Sequence, residues 1–107
     1  MRLNIVELLE GERGDLAPDP EKIVAIVDLE PDLEEVNMEI LDPEYEEEIR
    51  EIFSNPIYCF STGITTREGI SIDAGIQEIQ PWQPEVLAVL PEKLSIIGLD
   101  YVLVPKS

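Results

Sequence analysis

Leu3 and Ile5 alternate with polar neighbours as in a strand, and Leu8 and Leu9 then break the period, so residues 2–9 read as a first strand. The segment GERGDLAPDP at 11–20 stacks two Gly, two Pro and two Asp, and an exposed loop is expected there. Lys22–Leu29 (KIVAIVDL) is a short β-branched apolar run, the pattern of a largely buried strand. A helix with Asp19 as N-cap and Pro20 in its first turn competes for the same residues, and Pro31 ends the segment in either case. Val36, Met38 and Ile40 then alternate with Asn37 and Glu39, which predicts a half-exposed strand over 35–41.

The period next changes from two to 3.6. Asp42 is placed to cap a helix and Pro43 suits its first position. Tyr45, Ile49, Ile52 and Phe53 fall at i, i+4, i+7 and i+8, one apolar stripe on a helix over 43–53. Glu44, Glu46 and Glu47 lie near the positive end of its dipole. Glu46 and Arg50 can pair at i+4, whereas Glu44/Glu48 and Glu47/Glu51 repel. Ser54-Asn55-Pro56 stops the helix, and its outer face must be anionic.

Residues 57–65 and 70–79 read as two strands of an antiparallel hairpin joined around Thr66-Arg67-Glu68-Gly69. Ile70, Ile72, Ala74 and Ile76 predict one inward face, and Gly63 and Gly75 mark bulges or close backbone approach. PWQP at 81–84 interrupts regular structure. Beyond it, Leu87, Leu90, Leu94 and Ile97 have helical spacing, but Pro91 within such a helix would clash with the carbonyl of Leu87. The preferred alternative is a short strand or turn at 86–90, then a helix opening with Pro91 and closing at Gly98. Tyr101–Val104 makes a final strand. These elements predict an α+β fold: a mainly antiparallel sheet of about five or six strands with two short helices on one face. Residues 1–107 form a single domain, without repeat or linker.

Charge changes this picture most. Of a net −17, residues 1–53 carry 18 acidic against 4 basic groups (−14), and residues 54–107 carry 6 against 3 (−3). A salt-adapted surface would be acidic on both halves; confinement to one favours cationic partners. Ile, Leu and Val are plentiful enough to separate the chain from acidic disordered tails. No apolar run approaches the roughly 18 residues needed to span a bilayer, and an acid at Glu7 interrupts the start before a secretory-type apolar stretch. Cys59 is the lone cysteine and suits a reducing compartment, so a cytoplasmic protein without membrane contact is expected.

The chain has no histidine, which removes Ser–His–Asp and Cys–His nucleophile activation within one chain. One cysteine and no histidine cannot supply a structural zinc site. Cys59 lies between Tyr58 and Phe60 in an apolar context with no neighbouring cation, the setting of a core thiol. Ser61-Thr62-Gly63 and Thr65-Thr66-Arg67 lack the GxxxxGK[ST] pattern, and the seven cations are too scattered for direct nucleic-acid binding. Asp28, Glu30 and Asp32 alternate around Pro31, with Asp15 and Asp19 nearby, but no EF-hand pattern is present. A solvated acidic turn is the plainer assignment, and no metal, cofactor or catalytic residue is assigned.

The expected function is a non-catalytic interaction or regulatory module that meets a basic protein surface. Its contact residues would be Asp32, Glu34, Glu35, Glu44, Glu47, Glu48 and Glu51, acting by electrostatic steering. Trp82, held between Pro81 and Pro84, is either a core plug or a rigid partner anchor. One alternative is a nucleic-acid mimic that blocks a DNA-binding protein. Another is a small carboxylate- or magnesium-dependent enzyme or sensor built on Asp73 beside Ser61–Thr66. The weakly charged part, 54–107, could also supply a homo-oligomer contact through edge strands at 57–65 or 99–104.

Overall fold

In the computed structural model, which describes residues 1–105, the main sheet is built from four of eight strands. β1 (Arg2–Glu10), β2 (Leu16–Glu30), β3 (Glu35–Ile40) and β8 (Leu99–Val104) lie in the order β3-β2-β1-β8, every pair antiparallel. The fold class is the expected α+β. The strand count is higher because the two strands expected over 57–65 and 70–79 each divide. They become β4 (Ile57–Ser61), β5 (Ile64–Thr65), β6 (Ser71–Ile72) and β7 (Gly75–Ile79). β4 pairs with β7 and β5 with β6, so the hairpin survives with a break in its middle.

The register explains which side of the main sheet is buried. Leu3 faces Val27 and Leu103, Ile5 faces Ala25 and Tyr101, and Val27 faces Met38. Directly opposed residues share a face, so these side chains form one apolar layer. Helices α1 (Glu46–Ile52) and α2 (Leu90–Ser95) cover it, contributing Ile49, Leu90 and Leu94 to the same buried cluster. Phe53, which follows α1, and Val86 and Leu87, from a 3-10 turn over Pro84–Ala88, complete it.

Two local expectations are revised, at 11–20 and at Ile70–Ile76, and the preferred reading of 86–98 holds. The loop expected over 11–20 is confined to 11–15, because Leu16, Ala17 and Pro18 pair with Glu10, Leu9 and Leu8. β3 covers only Ala25–Glu30, so Pro18 and Pro20 lie where β2 has an open edge and a missing N–H removes no ladder bond. The strand, not the competing helix at Asp19, is therefore formed. Residues 86–90 make a 3-10 turn running into α2, which admits Pro91 in its first turn, and Gly98 follows at φ +77°. Finally, the inward face at Ile70–Ile76 does not persist. Ile72 is buried, but Asp73 and Ala74 leave the ladder and Gly75 takes φ +115°, reversing the alternation. Gln77 and Ile79 then point inward and Ile76 outward.

The helix over 43–53 forms as expected, opened by a 3-10 turn at Pro43–Tyr45. Asp42 caps it by accepting a hydrogen bond from the Glu44 N–H at 3.0 Å. Ile49 and Phe53 are buried, and Tyr45 and Ile52 pack at the margin of the core.

Candidate functional site

Edge strand β3 is bracketed by carboxylates. At one end, Asp32 lies in a 3-10 turn (Pro31–Leu33), Glu34 follows it, and Glu35 begins the strand. At the other, Glu44 sits in the turn before α1, and Glu47, Glu48 and Glu51 lie on α1. All seven are exposed. Spacings of three, four and seven residues put the second group on one helix face, away from Ile49. About 20 Å of strand separates the groups, at roughly 3.4 Å per residue. The structure thus brings Glu44, Glu47, Glu48 and Glu51 together, and Asp32, Glu34 and Glu35 together, but not the two sets into one patch. Between them the outer side of β3 presents Asn37 and Glu39, both exposed.

Glu34 holds φ +52°, the left-handed region that a residue with a Cβ seldom occupies. Its N–H donates to the carbonyl of Pro31 at 3.2 Å, which closes the turn and presents three acids on a tight reversal.

Four of the six Lys and Arg side chains among the described residues are bound by other acids; Arg13 and Lys93 are not. Arg2 meets Asp28 at 3.1 Å, Lys22 meets Glu7 at 3.9 Å, Arg50 meets Glu46 at 2.9 Å and Arg67 meets Glu68 at 2.9 Å. The Glu46–Arg50 pair is the one anticipated from i+4 spacing. None of the seven candidate carboxylates takes part in any of these bridges. Tyr45 ties the acidic helix to the sheet through its hydroxyl, which donates to Glu7 Oε1 at 3.4 Å. Partial desolvation, reinforced by Glu7 and Glu44, raises the Tyr45 phenol above its ordinary range.

Trp82 is half-buried in the turn before the Pro84–Ala88 segment, next to buried Pro81, and lies outside the core cluster. It is neither a full core plug nor an exposed anchor. Cys59 is half-buried and packs against the core. Asp73 is exposed, and its backbone carbonyl accepts the Ser61 hydroxyl at 2.5 Å, closing the break in the hairpin. Among the described residues no three His, Cys, Asp or Glu side chains converge in a way that could hold a metal ion. No helix among them is long and apolar enough to cross a membrane.

Residues 57–65 are a sequence-based candidate only as an edge strand for self-association; the outward apolar face that β4 and β7 present is not among the candidates. Tyr58, Phe60 and Ile76 are 70%, 77% and 77% exposed. Strand alternation around Cys59 carried the signal, since an inward Cys59 forces Tyr58 and Phe60 outward. Ile76 could not be found that way, because its direction depends on the break at Asp73–Gly75.

Comparison of the chain with protein-family models, with curated proteins and with solved structures finds no match in any of the three.

Proposed function

We propose that the protein is a non-catalytic interaction module whose acidic edge, from Asp32–Glu35 along β3 to Glu44–Glu51 on α1, meets a basic protein surface. One observation carries this reading: among the described residues the seven exposed carboxylates make no ion pair, and the four cations that do pair are bound to other acids. Unpaired surface carboxylates at this density repel one another, and a cationic partner relieves that repulsion as it binds. The two acidic groups suit an elongated basic surface rather than one point contact. Their contribution is to encounter rate and orientation more than to raw affinity.

The test is capture from native lysate by the intact protein and by a charge-reversed variant, E44K/E47K/E48K/E51K. Partners are expected to be retained in low salt, lost near 1 M salt, where the Debye length is about 3 Å, and lost with the variant. Capture that is indifferent to both salt and charge reversal refutes the proposal. If duplex DNA competes for the captured partner, the acidic row imitates phosphates and the partner is a DNA-binding protein.

A further inference from the structure

The β4–β7 ribbon turns an apolar face to solvent in the half of the chain that holds only three of the seventeen surplus negative charges. Phe60 stands opposite Ile76 on this face, with Tyr58 opposite Glu78. Ile64 (37% exposed) and Ile96 (80% exposed) join Tyr58 and Phe60 around a groove of about 310 Å³ between β4 and α2. β7 occupies one edge of β4. Among the described residues no other element hydrogen-bonds to the backbone of the second edge.

We infer that this face is where two copies of the chain pack, face on face, into a homodimer. Area supports that occupant. With roughly 150–250 Å² for a fully exposed aromatic side chain and less for Ile, the five residues offer on the order of 600 Å² of apolar surface. That is the upper end for a monomer's largest apolar patch, about 300–600 Å². It supplies most of the roughly 800 Å² that each partner contributes to a stable interface. Geometry supports it as well, because an apolar face packs on its own copy about a two-fold axis without any further complementary surface. Charge agrees too: the groove walls carry Glu92 and Lys93, and Lys93 makes no ion pair among the described residues. A copy in reversed orientation sets that cation toward a wall bearing an acid.

This inference does not rest on the acidic-edge reading. Sedimentation or light scattering of the native chain from about 1 μM to 1 mM, a range bracketing ordinary dimer affinities, is expected to show a mass rising from 12.1 kDa toward twice that value. F60K and I76K, both at exposed positions, should keep the native circular dichroism and raise the dimer dissociation constant at least about thirtyfold, as for a hot-spot loss. L33K, at an exposed leucine on the β2–β3 turn, should leave it unchanged. Added salt should hold or tighten the dimer by screening net charge, whereas it weakens any partner bound through the acidic edge. A monomer across the whole range overturns the inference. So does a dimer that persists in both F60K and I76K, or one that salt dissociates.

Discussion

Replacing Tyr101 by Phe removes one hydroxyl from a nearly closed site, and its cost can be estimated from the surrounding contacts. Tyr101 lies on β8 at 1% exposure and points into the core. Its hydroxyl donates to Glu68 Oε2 at 3.2 Å. Arg67 lies over its ring, 4.7 Å from the centroid, donates to the Tyr101 carbonyl at 3.3 Å and pairs with Glu68 at 2.9 Å. These contacts pin the 66–69 turn of the hairpin to the main sheet. A hydrogen bond to a charged group contributes about 1.5–3 kcal/mol, but 3.2 Å is long for O–H···O and Glu68 keeps Arg67 after the substitution. The expected loss is therefore about 1–1.5 kcal/mol. That corresponds to a fall in Tm of about 4–6 °C for a domain of this size.

The pH dependence supplies an independent check on the same site. Burial is the largest influence on the Tyr101 phenol and raises it above its ordinary value of 10.0. Glu68 acts in the same direction and Arg67 opposes. A group whose folded pKa is raised stabilises the fold fully below its unfolded pKa, and that stability is lost as pH rises through the folded value. Native stability should thus fall from about pH 10 upward, and Y101F lacks this component. The gap between native and variant should be widest near pH 7–9 and narrow above pH 10 in urea titrations followed by circular dichroism. A Tm change below about 1 °C, or a gap that widens in alkali, refutes the placement of the hydroxyl against Glu68.

Three further outcomes follow from the packing. I49A should cost about 3 kcal/mol, because Ile49 is fully buried and anchors α1; denaturant unfolding measures it, and a loss under 1 kcal/mol means α1 is not docked. G75A should cost about 1–3 kcal/mol, since Gly75 holds φ +115° and an added Cβ meets no atom within 4 Å, leaving backbone strain as the only source. In thiol labelling, half-buried Cys59 should react at least about tenfold more slowly in native than in denaturing buffer, and equal rates would remove it from the core margin.

Elements with one strong period and chemical punctuation could be read directly. The helix over 43–53 is such a case: its stripe at Ile49 and Phe53, its cap at Asp42 and its Glu46–Arg50 pair all appear in the structure. β3 was equally plain, since Val36, Met38 and Ile40 alternate without interruption. The candidate acids were legible only as exposed groups. Distance along the chain says little about distance in space, and β3 separates Asp32, Glu34 and Glu35 from Glu44, Glu47, Glu48 and Glu51.

Local sequence determined where the chain turns, which stretches have helical or strand period, and that Asp42 closes a helix end, because those preferences arise from the backbone and side chains of a few neighbouring residues. Tertiary structure decided three other matters. The Pro18–Pro20 segment became strand because β1 offered a partner and β3 stopped short of it. Ile76 turned to solvent because Gly75 reverses the pleat after Asp73, a change of phase that composition does not carry. Strand pairing brought Arg2 to Asp28 and Lys22 toward Glu7, so among the described residues these two cations bind acids outside the seven candidates. In the first and third cases the deciding partners are far apart in sequence and only the folded chain brings them together; in the second, the change of phase at Gly75 takes effect only through the pairing of β7 with β4.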